Sequence, residues 1–229
     1  MTASKGGWGP AYKKAAVSFT FDNLGEAADL EMGTWPQGQA VGQHYSAIET
    51  VPALLEHLGN IPVTFFIEGW NVNIYPNTLR AIADAGKEIG VHGWRHEIWT
   101  RLNETKQSEV MDRTLEAMGK VGIHPGGFRP PGGGGTGNLP YMMRKFGLRY
   151  FSAVGSQDAV ENQVASIPFL LRRGRRLARC QDAGCILITR RRAAFELRNE
   201  LGPRPAESPP VGCTSRTVWI PCDETGGRR

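Results

Sequence analysis

The apolar and polar positions divide the chain into short extended runs separated by helical spacings. Lys14 to Phe21 is rich in β-favouring residues and ends in the polar pair Asp22-Asn23. Ile48, Val51, Leu54, Leu55 and Leu58 then recur at three-to-four spacing, which predicts a helix, and the apolar run Ile61 to Ile67 predicts the next strand. These three segments make one βαβ unit. A further helix is expected from Asn77, a good N-cap, to Gly86 at the C-terminal stop position, leading into a short strand from Glu88 to Val91. The longest predicted helix, Glu104 to Lys120, turns Val110, Leu115 and Met118 inward and precedes a strand that ends in Phe128-Arg129. Beyond it the pattern predicts a helix over Leu139 to Phe146 and strands at Leu148 to Val154, Ala165 to Phe169, Cys185 to Thr189 and Thr217 to Ile220. Alternation of strand and helix points to an α/β fold with a parallel sheet, and seven or eight such units favour closure into a (β/α) barrel. In such a fold chemistry is placed at the C-terminal ends of the strands.

Length changes this picture little: 229 residues suit one α/β domain, expected to span 1–229. No apolar run is long enough to span a bilayer, and the polar start, Met1 to Lys14, has no apolar signal core, so a cytoplasmic protein with no membrane partner is expected. Charge changes it more. Residues 1–170 hold 14 basic and 16 acidic side chains, whereas residues 171–229 hold 13 and 6, so the whole net charge of +5 originates in the last quarter. All seven lysines and five histidines precede residue 146, and the four cysteines, Cys180, Cys185, Cys213 and Cys222, all follow residue 179. Residues 171–212 therefore read as atypical, either strongly divergent or translated from a shifted frame, and are expected to pack poorly on the barrel. The Arg172 to Arg176 tract has no accompanying aromatic platform or recognition motif, so nucleic acid is not an expected partner. The cysteines lack the paired spacing of a zinc site and read as incidental thiols. Oligomeric state is left open.

Three segments carry candidate chemistry. Phe19-Thr20-Phe21-Asp22-Asn23, Val91-His92-Gly93-Trp94-Arg95-His96 and Phe128-Arg129-Pro130-Pro131-Gly132 each follow a predicted strand. Together they supply a carboxylate, two imidazoles four residues apart and a guanidinium, a set suited to metal-assisted hydrolysis. Taken singly, an aspartate at a strand end is a turn or a cap, and an arginine before two prolines is a solvated loop residue. Their order along the chain resembles the polysaccharide deacetylase family of NodB-homology hydrolases over residues 13–170, with the style of the peptidoglycan-deacetylase and cyclic-amide-hydrolase branch.

The resemblance implies a NodB-like distorted barrel that hydrolyses carbon–nitrogen amide bonds of an N-acetylated sugar or polysaccharide, or opens a small cyclic amide. It implies a divalent metal, zinc by preference, held by His92, His96 and Asn23, with Asp22 as the base and Arg129 as its orienting partner. Trp94, Trp70, Pro131 and Gly132 are the implied substrate-binding residues, with Trp35 and Tyr141 as further lining candidates. Two positions depart from the family pattern. Asn23 stands where a metal-binding aspartate is usual, with Glu26 as a replacement carboxylate, and the late apolar strand is followed by Arg190-Arg191-Arg192 instead of the expected general-acid histidine. These departures keep open a second reading, a non-catalytic relative that binds a carbohydrate or small molecule.

Overall fold

The computed structural model describes residues 16–155, 159–169 and 187–191. Eight strands form one sheet: β1 (Ala16–Asp22), β2 (Val63–Ile67), β3 (Glu88–Val91), β4 (Gly127–Phe128), β5 (Tyr150–Phe151), β6 (Ala159–Glu161), β7 (Val164–Ser166) and β8 (Leu187–Arg191). Their spatial order is β6-β7-β5-β4-β3-β2-β1-β8. Every pairing from β1 through β5 to β7 is parallel, as the alternating pattern requires. The two edges differ. At one, β6 returns against β7 through Asn162-Gln163, both at positive φ, the geometry of a two-residue hairpin turn that follows the strand twist. At the other, β8 lies antiparallel to β1, with Thr20 opposite Leu187 and Ala16 opposite Arg191.

Helices α1 (Ala27–Met32), α2 (Val51–Leu58), α3 (Gly69–Ile74), α4 (Pro76–Asp84), α5 (Glu104–Lys120) and α6 (Leu139–Lys145) fill the crossovers. The strand β3 and the helix α5 fall where the pattern puts them, and the Asn103 side chain caps α5 by accepting from the Lys106 amide at 2.9 Å. Helix α4 begins at Pro76, ahead of the expected Asn77 cap, because proline at the first helical position has no amide to satisfy. The stripe that α5 buries is Gln107, Met111, Thr114, Ala117 and Met118, so Val110 and Leu115 are only partly buried. The cause is α3, which packs closely on this face. A Cβ on Gly69 would stand 2.8 Å from Thr114.

All five residues of β2 are buried, as expected for a central parallel strand covered on both sides. Phe65, Ile67, Ile82, Val91, Trp99, Met111, Met118, Phe128 and Met142 are fully enclosed, each worth about 1.5–3 kcal/mol of hydrophobic burial. Lys87 is buried as well, and its ammonium serves the chain end of α2 by donating to the carbonyls of Gly59 and Ile61.

Of the atypical segment 171–212, only Leu187–Arg191 is among the described residues; it pairs with β1, and the strand lies two residues later than predicted. The Arg172–Arg176 tract, the four cysteines and the expected strand Thr217 to Ile220 lie outside the described residues. No described helix is long and apolar enough to cross a membrane.

Candidate active site

The parallel register brings the ends of β1, β2, β3 and β4 side by side, with Asp22 opposite Phe66, Ile67 opposite Val91 and Val91 opposite Phe128. Asp22, Glu68, His92 and Arg129 are consequently the residues at, or just after, four neighbouring strand ends.

Arg129 is 2% exposed and held through both terminal nitrogens, while its buried Nε has no partner. Its Nη1 donates to both Asp22 oxygens, at 2.8 and 3.0 Å, and to Thr20 Oγ1 at 2.8 Å, while Nη2 donates to Ser152 Oγ at 3.0 Å. The rings of Phe66 and Phe169 cover the guanidinium at 4.2 and 4.6 Å. A buried arginine of this kind fixes its partner carboxylate rather than solvating a loop. The Asp22 side chain is 13% exposed. Burial pushes its carboxyl above the usual range, and the Arg129 charge and hydrogen bond, with the His96 charge, offset this only in part.

Arg129 also acts through its backbone. Its carbonyl takes a hydrogen bond from His92 Nδ1 at 2.7 Å, which fixes the tautomer and leaves the Nε2 lone pair for another partner. The His92 pKa falls to about 3, chiefly through burial, and that of His96 to about 4 through burial and the neighbouring His92. Both rings are neutral at neutral pH, as ligands must be. They meet edge to face with centroids 4.9 Å apart.

The loop that presents them is tightly specified. Glu97 accepts from the amides of Trp94 and Arg95, Gly93 turns the chain at φ +77°, and its carbonyl takes the Gly69 amide at 2.9 Å. A side chain at Gly93 would be strained by that φ and would press on Pro131 and Glu97.

The third member of the cluster is Glu68. One carboxylate oxygen of Glu68 and one nitrogen of each histidine all lie within 4.8 Å of one another. Glu68 is wholly buried; Asn71 donates to its Oε2 at 3.1 Å, but Oε1 has no hydrogen-bond partner. Burial, with the Asp22 and Glu97 charges, drives its pKa well above the carboxylate range. His96 Nδ1 and Asn23 Oδ1 are likewise buried without partners. Two imidazoles and a carboxylate within reach of one point, with Glu68 Oε1 and His96 Nδ1 buried and without partners, fit a divalent cation of the zinc type.

The pattern had pointed to Asn23 or Glu26 for the third position. Glu26 faces elsewhere: its Oε1 accepts from the amides of Gly42 and Gln43 and from the Tyr75 hydroxyl. Asn23, at φ +58°, keeps its carbonyl oxygen unpaired beside the cluster's strand ends. Glu68, Thr20, Ser152 and Asn71 were not singled out. The available signal for Glu68 was a carboxylate directly after a five-residue apolar run; nothing local marks the other three.

The expected substrate-binding residues separate. Trp94 is 6% exposed and belongs to the core, its ring covered by Arg113 at 3.9 Å, so it does not line a surface. Pro131 is buried against the loop of the histidines, Trp70 packs on the core, and Gly132 is exposed at φ +75°. Tyr141 stands in solvent on α6, 58% exposed, and Trp35 lines a separate cleft.

A parallel α/β sheet with paired histidines, a carboxylate and an arginine-held aspartate at its strand ends defines a hydrolase-type scaffold of the NodB class. Residues 10–151 match the sequence model of the family described as polysaccharide deacetylase, and the chain belongs to that family. A peptidoglycan deacetylase-like protein of Gibberella zeae is 32% identical over 156 residues, covering 64% of this chain and 45% of that protein. A peptidoglycan-N-acetylglucosamine deacetylase of Bacillus cereus is 31% identical over 125 residues, 53% of this chain and 38% of the other. A solved Mycobacterium smegmatis protein assigned to the polysaccharide deacetylases superposes with a TM-score of 0.58 at 28% identity, covering 68% of this chain and 58% of that one. The chain spans less than half the length of the two curated relatives named here.

Proposed function

We propose that the chain is a metal-dependent hydrolase that removes N-acetyl groups from a polysaccharide of the peptidoglycan or chitin type. The observation that carries the reading is the placement of the Asp22–Arg129 pair beside the Glu68, His92 and His96 cluster on adjacent strand ends. Glu68, His92 and His96 would hold the ion, with Asn23 Oδ1 in reserve, and zinc suits two imidazoles and a carboxylate. When bound, such an ion supplies Lewis-acid polarisation of the amide carbonyl and acidifies a water.

The chain's own residues do the rest. Asp22, more basic than an ordinary carboxylate, takes the proton from water, and Arg129 keeps its oxygens aimed by bonding both. Neutral His92 keeps its lone pair available because Nδ1 is committed to the Arg129 carbonyl. Arg190-Arg191-Arg192 stand after the late apolar run where a histidine is expected, so the same Asp22 carboxyl is assigned to hand its proton to the leaving nitrogen. That shared duty is expected to make the enzyme slow, since a dedicated general acid contributes about 10²–10⁴-fold. The lack of such a histidine is also the observation favouring the second reading, a carbohydrate-binding relative without turnover.

Acetate release from a β-1,4-linked N-acetylglucosamine tetramer, with zinc and with chelator, tests the proposal. Release that stops with chelator and in Asp22→Asn is expected. No release under zinc loading, with the tetramer still bound, would establish the binding-only reading.

A further inference from the structure

Beside α1 lies a cleft of about 360 Å³ that the chemistry above does not use. It is lined by Asp29, Trp35, Gln39, Gln43, His44 and Tyr45, and its size is near the lower end of the ~300–1,000 Å³ range of ligand sites. We propose that this cleft binds a sugar ring of the same polysaccharide, at a unit other than the one being deacetylated. The inference rests on the polysaccharide reading given above.

The aromatic content comes first. The rings of Trp35 and His44 stack with centroids 5.6 Å apart, and those of His44 and Tyr45 at 4.8 Å. Tyr45 is 37% exposed and Trp35 partly so, which leaves flat apolar surface facing the cleft. A pyranose has an apolar C–H face and a rim of hydroxyls, so it needs one flat ring and a few planar polar groups. Gln39 and Gln43 supply exposed amides, and Asp29 supplies a carboxylate.

The cleft is also rigidly built. Buried Glu26 holds the amides of Gly42 and Gln43, and the Tyr75 hydroxyl takes the His44 amide at 2.9 Å. His44 is oriented by Ser46 Oγ at 2.6 Å and Asp29 Oδ2 at 3.4 Å, and Asp29 Oδ1 accepts from Thr34 at 3.0 Å. Trp35 Nε1 donates to the Gln39 carbonyl at 3.2 Å. A preformed arrangement loses little freedom on binding.

Its position suits a long chain. Helix α1 starts just after the Asp22-Asn23 turn, its Glu31 lies 3.8 Å from Arg95 in the histidine loop, and its Asp29 lines the cleft. One short helix therefore borders both sites.

Calorimetric titration with the N-acetylglucosamine tetramer tests this directly. Trp35→Ala is expected to weaken binding about tenfold and Gln43→Ala a few-fold, while Trp35→Phe stays close to wild type. In turnover, Trp35→Ala should raise KM for the tetramer and leave kcat/KM for single N-acetylglucosamine unchanged. Equal tetramer binding by wild type, Trp35→Ala and Gln43→Ala overturns the proposal, as does equal loss on short and long substrates. Should Trp35→Ala not fold, exposed Gln43→Ala decides alone. An absence of turnover would count against the deacetylase reading and leave the titration to judge the cleft.

Discussion

The two halves of the candidate site are finished to different degrees. Around Arg129, every polar group but the buried Nε is paired: Thr20, Asp22 and Ser152 accept from its guanidinium, His92 donates to its carbonyl, and two phenylalanine rings cover its faces. Around Glu68, by contrast, Glu68 Oε1, His96 Nδ1 and Asn23 Oδ1 are buried with nothing to bond. A buried polar atom left unpaired costs about 1–3 kcal/mol, so a fold keeps several together only where something else completes them. The paired half is preorganised by the protein alone, and the unpaired half is organised for a ligand.

The largest effect should come from removing a donor of the unpaired half. Glu68→Ala or His92→Ala is expected to weaken zinc binding beyond the 10–100-fold that loss of an outer-shell partner costs, as read by chelator competition. Unchanged zinc affinity in Glu68→Ala would break the comparison, because Glu68 would then be merely a strained buried acid.

Breaking the paired half should appear in stability. Arg129→Met leaves Asp22 buried and alone, and a loss of about 3–5 kcal/mol is expected in urea unfolding. Asp22→Asn keeps an acceptor for the guanidinium and should cost less, about 1–3 kcal/mol, while abolishing hydrolysis. The stability loss is expected because Asp22 is only 13% exposed and is bonded to a 2% exposed arginine.

The pH dependence separates the halves again. In the metal-free protein His92 titrates at about 3 and His96 at about 4, below the ordinary 6.5. Between those values the unfolded chain binds more protons than the folded one, so stability is present above pH 6.5 and is lost as pH falls toward 4. The raised carboxyls of Asp22 and Glu68 act in the opposite sense, their contribution fading as pH rises. Urea unfolding from pH 7 to pH 4.5 should thus show a flatter slope in His92→Gln than in wild type. An identical slope would mean that His92 is not kept neutral by the fold.

The smallest effect on turnover belongs to the outer contacts of Arg129. Ser152→Ala removes one neutral partner of a charged donor, and a loss of about 1.5–3 kcal/mol with only a few-fold fall in turnover is expected.

Local pattern sufficed for α5, β3 and the three motif segments, because caps, helical period and strand-end polarity are written within a few residues. It did not suffice for Glu68, whose role depends on β2 lying between β1 and β3 so that three strand ends converge. Trp94 misled for a related reason: its neighbours in sequence are histidines, but Arg113 of α5 covers its ring. The antiparallel β8 also escaped, since an apolar run states that a strand forms and not which way it lies.

Arg129 touches both halves with different parts of itself: the guanidinium holds the base, and the peptide carbonyl sets the tautomer of a histidine. Mutation reaches only the first. Substitution at position 129 replaces the side chain and leaves the oxygen that meets His92. Base alignment can therefore drift under mutation there while the imidazole keeps its orientation, which would give the proposed site a route by which turnover is lost and cation binding survives.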